Sequence, residues 1–316
     1  MFRVLLADPL DSESEARLAA GAVVVRAPTC DEVALCRLIG DCDALVARTS
    51  TPVTRAVLQS GPRLRVVGVA GVGVDRVDVK AAEELGIAVL STPAAATDAV
   101  ADLTLALILH QLRPVGRLAA AYRAGAFHAA REHPHGRELA SCVVGIVGMG
   151  RIGSAVGRRS AACGARVIYN DIVPVGPFDF AATPVEKGEI WERSDIVSLH
   201  VPLTEATRRL VDAAALSRFK PGAILVNTSR GAVVDTAALT AALQTKRLGG
   251  AALDVVDPEP LPAGHPLFAI DACVLTPHIA ARTHEGLRRM FGIVDAVLAR
   301  LRETESDTSA RSPERK

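Results

Sequence analysis

Aromatic residues are scarce in this chain, making up 3% of its 316 residues. A chain with so few rings lacks the stacking surfaces that proteins use to hold single-stranded nucleic acid. The charges also balance, with 36 basic and 35 acidic side chains and a net charge of +1. Such a balance provides no basic footprint for nucleic acid or for an anionic membrane surface. We therefore expect neither of these as a partner.

Long apolar runs and paired cysteines are missing as well. The longest candidate run, Leu103 to Leu109, is far shorter than the roughly eighteen residues that cross a bilayer. The amino terminus reaches Asp8 and Pro9 before the apolar core of a signal peptide could form. The six cysteines include no C-x-x-C pair, which argues against a disulfide framework and a zinc site. These absences predict a reduced, cytoplasmic protein without a structural metal.

Short β-rich runs alternate with helical runs, a pattern typical of α/β proteins with parallel sheets. The predicted strands of the first third are 4–7, 44–47, 66–69 and 88–90. Those of a second series are 143–147, 166–169, 196–199, 223–226, 251–253 and 273–275. Between the two series, a helical stretch from Asp98 to Arg123 is apolar on most sides of its first half, which predicts burial inside the chain or at an interface.

A glycine-rich turn marks a candidate dinucleotide site. Gly148, Gly150 and Gly153 fit the pattern G-x-G-x-x-G between a predicted strand and a predicted helix. Such glycines permit a tight turn, close approach of a pyrophosphate and close helix packing, while the helix N-terminus faces the phosphates. Asp171 follows Gly153 by eighteen residues, where an acid accepts from ribose hydroxyls and disfavours a 2′-phosphate. The pattern predicts NAD as the cofactor.

Three chemistry-bearing residues follow three predicted strands of the second series. Arg230, Glu259 and His278 each lie in the loop after a strand. Ligands of open parallel sheets bind beyond the carboxyl ends of the strands, so we expect these side chains to converge beside the cofactor. An arginine fork suits a carboxylate, and a histidine held by a carboxylate suits proton transfer to a carbonyl oxygen.

At this point the sequence resembles the D-isomer-specific 2-hydroxyacid dehydrogenases, in particular phosphoglycerate dehydrogenases and hydroxypyruvate reductases. The resemblance extends over nearly the whole chain. Besides the glycine turn, the motifs that carry it are 71–75, 100–102, 200–204, 227–231, 254–260 and 277–278.

The resemblance implies two doubly wound parallel-sheet domains, one of Rossmann type for the nucleotide and one flavodoxin-like for the substrate. The expected substrate domain is 1–93 plus 283–302, the expected NAD-binding domain is 94–282, and 303–316 is expected to be a disordered tail. The expected oligomer is a homodimer formed through the nucleotide domain by Asp98 to Arg123. We expect this chain to have no room for the extra regulatory domain of many phosphoglycerate dehydrogenases.

The family also implies roles for individual residues. Arg230, Glu259 and His278 are the expected catalytic set, reversibly moving a hydride between nicotinamide and a 2-keto or 2-hydroxy acid. The expected cofactor-binding residues are Gly148, Gly150, Arg151, Ile152, Gly153, Asp171, Val201, Pro202, Thr228, Ser229, Arg230, Asp254, His278 and Ala280. The expected substrate-binding residues are Arg48, Val72, Gly73, Arg230 and His278, and no metal is expected.

Other activities of similar proteins stay open. Formate dehydrogenases of this type carry glutamine as the histidine's partner, so Glu259 argues against that activity. Phosphite dehydrogenases and NAD-sensing corepressor-like proteins keep a similar residue set. The chain also departs from the common pattern at Ala94, Ala96 and Asp102, where the family often has glycine, asparagine and glutamate. The sequence identifies neither the acid nor the physiological direction.

Overall fold

In the computed structural model, residues 1–132 and 135–310 are described, with side chains as far as residue 305. The chain divides into two compact units. One comprises Met1–Ala96 together with the chain from Arg282, and the other comprises Thr97–Ala281. The domain boundaries expected from the sequence differ from these by three residues where the chain enters the second unit, and by one residue where it returns to the first.

The first unit contains a five-stranded parallel sheet in the order β2-β1-β3-β4-β5. Its elements are β1 (Phe2–Leu6), α1 (Ser12–Gly21), β2 (Ala22–Arg26), α2 (Glu32–Leu38), β3 (Ala44–Arg48), α3 (Arg55–Gln59), β4 (Val66–Ala70), α4 (Val79–Glu84) and β5 (Ala88–Ser91). Aspartates fix the starts of three helices, because the side chains of Asp11, Asp31 and Asp78 accept from backbone amides of the first turn.

The second unit contains a seven-stranded parallel sheet in the order β12-β11-β10-β9-β6-β7-β8. Its elements are α5 (Thr97–Leu112), α6 (Val115–Arg123), β6 (Val143–Val147), α7 (Arg151–Ala162), β7 (Arg166–Asn170), β8 (Ala182–Pro184), α8 (Lys187–Arg193), β9 (Ile196–Leu199), α9 (Ala213–Arg218), β10 (Ile224–Asn227), α10 (Thr236–Gln244), β11 (Gly250–Leu253) and β12 (Cys273–Leu275). Apolar clusters cover both faces of the sheet, so its central strands are buried throughout.

The long apolar stretch is divided between α5 and α6. Helix α5 packs against α7, β10 and β11, and Arg159 of α7 pairs with Asp98 and Asp102 of α5 at 3.0 and 2.7 Å. Leu109 of α5 is 39% exposed, so this helix is buried on most but not all sides. Helix α6 has no buried residue.

Two helices complete the first unit after the chain leaves the second. They are α11 (His284–Phe291) and α12 (Ile293–Ala310), and α12 packs against β3, β4 and β5 through Val294, Val297 and Leu301. No helix in the described part of the chain is long and apolar enough to span a membrane.

The expectation of a disordered tail over 303–316 requires correction, because α12 continues to Ala310. Its polar side chains bond to the preceding turn: Glu303 pairs with Arg300 at 3.1 Å, and the Thr304 hydroxyl donates to the carbonyl of Leu301 at 2.8 Å. These local contacts are available to a charged helix without any apolar periodicity. Residues 311–316 lie outside the described residues.

Candidate active site

The glycine turn lies between β6 and α7. Gly148 has a φ of +87°, and a Cβ there would lie 2.5 Å from the carbonyl oxygen of His200. A Cβ on Gly153 would lie 2.0 Å from the carbonyl oxygen of Gly148, so both positions require glycine. A Cβ on Gly150 meets nothing within 4 Å. Because α7 begins at Arg151 without a side-chain cap, its first amides face that open space, which fits a pyrophosphate.

Asp171 ties the end of β7 to this turn. Its Oδ2 accepts from the backbone amide of Met149 at 2.7 Å, and its Oδ1 accepts from the amide of Val173 at 3.2 Å. A carboxylate oxygen accepts more than one hydrogen bond, so both oxygens keep capacity for ribose hydroxyls. The next residue, Ile172, is fully exposed and apolar. The glycine turn and the acid therefore lie side by side in the second unit.

The strand β9 ends beside the same turn. Ser198 Oγ and His200 Nε2 lie 2.8 Å apart. Burial lowers the pKa of His200 to about 3. This imidazole is therefore neutral at ordinary pH, and it is not a proton donor for chemistry near neutrality. A Cβ on Gly148 would lie 2.9 Å from a methyl group of Val201, which places Val201 against the turn, and Pro202 follows it.

Arg230 sits on a loop that a buried asparagine organises. The Oδ1 of Asn227 accepts from the amide and the hydroxyl of Ser229 at 3.0 and 2.7 Å, and its Nδ2 donates to the carbonyl of Arg230 at 2.9 Å. Arg230 in turn donates from Nη1 to the carbonyl of Ser229 at 2.8 Å. Asn227 is 1% exposed, so these bonds act in a dry environment. Sequence reasoning did not single out Asn227, although an asparagine two residues before a serine is typical of such turns.

The loop after β12 is held by Asp254 at the end of β11. Its Oδ1 accepts from the hydroxyl of Thr276 at 2.6 Å and from the amide of Ile279 at 2.9 Å. Its Oδ2 accepts from the amide of Ala280 at 2.9 Å. The backbone of His278, enclosed by these contacts, has a φ of +53°, which is unusual for a residue other than glycine. A buried carboxylate thus fixes the backbone that presents His278.

His278 and Glu259 are brought together. Nδ1 of the imidazole and Oε1 of the carboxylate lie 2.7 Å apart, and each side chain is about two-fifths exposed (42% and 43%). A carboxylate on Nδ1 orients the ring and leaves Nε2 as the outward-facing nitrogen. The loops of Arg230, Glu259 and His278 follow the neighbouring strands β10, β11 and β12 at one edge of the sheet. The loops after β10 and β11 touch, because a Cβ on Gly231 would lie 1.9 Å from the carbonyl oxygen of Val256.

In the first unit, Arg48 lies at the end of β3. Its amide donates to Oδ2 of Asp8 at 3.1 Å, and its guanidinium lies 5.8 Å from the ring centre of Phe291. Burial, and then the positive charge of Arg282, lowers the pKa of Arg48, while Asp8 opposes the shift. The position adjoins the β1–β3 junction, where the strand order of the sheet reverses and where ligands bind in such sheets.

The turn at Gly71 to Gly73 lies at the same edge of this sheet. Arg48 pairs in register with Ala70, and the turn follows directly. A Cβ on Gly71 would lie 2.3 Å from a methyl group of Thr49, so glycine is required there. Val72 is 36% exposed. The first unit therefore groups the expected substrate residues Arg48, Val72 and Gly73 at one sheet edge. Among the described residues, no group of three potential metal ligands is close enough to hold an ion.

Comparison with known proteins relates this geometry to a family. Residues 105–280 match the model for "D-isomer specific 2-hydroxyacid dehydrogenase, NAD binding domain". The chain is 42% identical to a glyoxylate reductase of Korarchaeum cryptofilum over 263 residues, which is 81% of this chain and 78% of that one. It is 35% identical to a hydroxypyruvate reductase of Thermotoga maritima over 294 residues, covering 92% and 94% of the two chains. A crystal structure of D-lactate dehydrogenase from Aquifex aeolicus, complexed with NAD and lactic acid, superposes with a TM-score of 0.88 at 26% identity and covers 98% of both chains.

Proposed function

The chain belongs to the D-isomer-specific 2-hydroxyacid dehydrogenase family and is an NAD-dependent oxidoreductase, and we propose that it reduces a short 2-keto acid of the glyoxylate or hydroxypyruvate type. The relatives named above support this choice of acid. The observation that carries the proposed chemistry is the 2.7 Å pair of His278 Nδ1 and Glu259 Oε1.

In the proposed mechanism, Arg230 binds the carboxylate of the keto acid through its planar guanidinium. His278 donates a proton from Nε2 to the keto oxygen, and Glu259 stabilises the imidazolium form through Nδ1. The dinucleotide, when bound, supplies the hydride. In the reverse direction the neutral imidazole takes the proton from the hydroxyl group. Reduction consumes one proton and one hydride for each carbonyl, so the balance closes without any further reactant.

The dinucleotide is proposed to lie along the carboxyl edge of the second sheet. The pyrophosphate is assigned to the turn of Gly148, Gly150 and Gly153 with the first residues of α7, Arg151 and Ile152. The adenosine ribose is assigned to Asp171. The remaining proposed contacts are Val201, Pro202, Thr228, Ser229, Arg230, Asp254, His278 and Ala280.

Some of these contacts are indirect in our proposal. Both oxygens of Asp254 already hold the loop of His278, and the amide of Ala280 is used by that carboxylate. We therefore assign Asp254 and Ala280 to positioning that loop, and Oδ2 of Asp254, which accepts from Ala280, keeps capacity for a cofactor contact. In the first unit, Arg48, Val72 and Gly73 remain the proposed substrate-binding residues.

The test of this function is NADH oxidation over a panel of keto acids that includes glyoxylate, hydroxypyruvate, phosphohydroxypyruvate, pyruvate and bulkier analogues. We expect saturable turnover with the small acids. Tight NADH binding without turnover of any keto acid would instead favour an NAD-sensing binding protein. Turnover of phosphite and not of keto acids would favour a phosphite dehydrogenase.

Asp171 is expected to make the enzyme prefer NADH over NADPH, by about a hundredfold in kcat/KM, since a fixed carboxylate repels the 2′-phosphate. No lysine or arginine lies among residues 172–175 to neutralise that phosphate. Asp171→Ala should narrow the ratio, mainly by weakening NADH. The exposed Asp179, which pairs with Arg158 at 2.7 Å, supplies the control Asp179→Ala, whose ratio should stay at the wild-type value. A wild type that uses both cofactors equally contradicts the assignment.

We also propose a homodimer formed through Asp98 to Arg123. The support is the apolar surface of α6 and the segment after it, where Val115, Tyr122 and Phe127 are 65%, 62% and 40% exposed. The rings of Tyr122 and Phe127 pack edge to face at 5.4 Å, forming one apolar patch.

We propose that the protein is located in the cytoplasm. Free cysteines at all six positions are compatible with that reducing compartment.

Light scattering should give a mass twice that of the 33.0 kDa chain. Tyr122→Glu places a charge in the patch and should shift the mass toward the monomer. Phe268→Glu charges another exposed ring of the same unit, 59% exposed, and should leave the dimer intact. A monomeric wild type, or equal dissociation by both variants, would refute this interface.

A further inference from the structure

A buried hydroxyl pair links helix α5 to the loop that carries Arg230. Thr104 of α5 is fully buried, and its Oγ1 lies 2.7 Å from the carbonyl oxygen of Val100 and 2.8 Å from Oγ1 of Thr228. Thr228 is 8% exposed and follows β10 directly, two residues before Arg230. The pair joins residues 124 positions apart in the sequence.

The two contacts of Thr104 fix the direction of the bond to Thr228. A threonine hydroxyl has one proton, and a carbonyl oxygen can only accept. The proton of Thr104 therefore points to Val100, since otherwise two oxygens would face each other at 2.7 Å without a hydrogen between them. Thr104 must then accept from Thr228, whose own proton is used in that bond. The oxygen of Thr228 retains only acceptor capacity.

We propose that Thr104 is a positioning residue that makes Thr228 an obligate acceptor, and that this acceptor selects the carboxamide N–H of the nicotinamide. The inference rests on the proposed function, which places the nicotinamide beside Arg230 and His278. The carboxamide is the only hydrogen-bond donor on the nicotinamide ring system. An acceptor fixed by a buried partner distinguishes an amide N–H₂ group from a group without a donor.

The experiment compares NADH with the reduced 3-acetylpyridine analogue, in which a methyl ketone without N–H groups replaces the carboxamide. Affinity is measured by nucleotide fluorescence in the absence of any keto acid. Thr104→Val keeps the shape of the side chain and removes the acceptor. It should weaken NADH binding about fivefold, the effect of one buried neutral hydrogen bond, and leave the analogue unchanged. Thr104→Ser keeps the hydroxyl and should retain the wild-type ratio.

The chain offers a matched control. Thr240 of α10 is also buried, and its hydroxyl donates to the carbonyl of Thr236 at 2.7 Å, the same bond to the preceding turn. Thr240→Val should therefore leave the NADH-to-analogue ratio unchanged. In a double-mutant cycle, Thr104→Val should have no further effect on that ratio once Thr228→Val is present. Melting temperatures of all variants identify any that fail to fold, in which case Thr228→Val alone tests the acceptor.

The inference is overturned if Thr104→Val weakens both nucleotides equally, if the effects of Thr104→Val and Thr228→Val add, or if Thr228→Val leaves the ratio unchanged. These outcomes are independent of turnover. An inactive enzyme whose NADH-to-analogue ratio falls in Thr104→Val contradicts the proposed reaction and supports the role of Thr104. An active enzyme whose ratio is unchanged in Thr104→Val supports the reaction and overturns the role of Thr104.

Discussion

His278→Gln is expected to lower kcat for keto-acid reduction on the order of a thousandfold, while the affinity for NADH changes little. Glutamine is similar in reach to histidine, and its amide can still donate a hydrogen bond to a carbonyl oxygen. It cannot transfer a proton, so the keto oxygen of the substrate has no proton donor when it is reduced to the alcohol. Steady-state kinetics with the preferred keto acid and direct titration of NADH measure the two effects separately.

His284→Gln supplies the control for this substitution. His284 is an exposed histidine at the start of α11, six residues further along the chain, and its replacement should leave kcat unchanged. Turnover of His278→Gln within tenfold of the wild type would remove His278 from the mechanism. The neutral His200 does not replace it as the acid, because desolvation lowers its pKa to about 3.

Glu259→Gln tests the partner of the same imidazole. Here we expect a smaller loss than in His278→Gln, since the proton donor remains. The carboxylate that orients the ring through Nδ1 is lost, so kcat for reduction should fall while the affinity for NADH stays unchanged. A wild-type kcat in Glu259→Gln would mean that the 2.7 Å contact with His278 has no influence on proton transfer.

The central strands could be predicted from the sequence because a strand buried on both faces is a short, continuous apolar run. The predictions for 143–147 and 196–199 match the central strands β6 and β9 residue for residue, and the prediction for 273–275 matches the half-buried edge strand β12. Strands β2 and β8, each at an outer edge of its sheet, could not be predicted from the sequence. Strand β2 follows α1 without a turn residue between them, and β8 has three residues that end at Pro184, so neither stands out as a buried run.

The candidate site also contains residues that could be predicted from the sequence and residues that could not. Arg230, Glu259 and His278 could be proposed because each follows a strand and belongs to a motif. The groups that orient them could not, because their contacts depend on side-chain direction. Asn227 looks like part of a motif until its amide is seen bonded to both Ser229 and Arg230. Thr104 sits in an apolar helix and looks like core, while its hydroxyl meets a loop 124 residues away.

Arg230→Lys is the second substitution with a large expected effect, about a hundredfold in kcat/KM for the keto acid. The positive charge is kept, so a role limited to electrostatic attraction would survive. What disappears is the planar fork, whose two parallel N–H groups hold a carboxylate in one orientation. The bond from Nη1 to the carbonyl of Ser229 is lost as well, and with it one of the contacts that orient the side chain. A misaligned carboxylate moves the keto carbon from the reacting position, so both kcat and KM should worsen.

Arg218→Lys changes an exposed arginine of the same unit, paired with Glu192 at 2.8 Å, and should leave both constants unchanged. A more severe variant, Arg230→Ala, should lose further activity and regain part of it when guanidinium is added at millimolar concentration, because the free cation can occupy the vacated site. Guanidinium should give no such gain in His278→Gln, which lacks the acid and not the carboxylate-binding group. Wild-type constants in Arg230→Lys would show that charge alone suffices at this position, and the substrate carboxylate would then have to be assigned to another group.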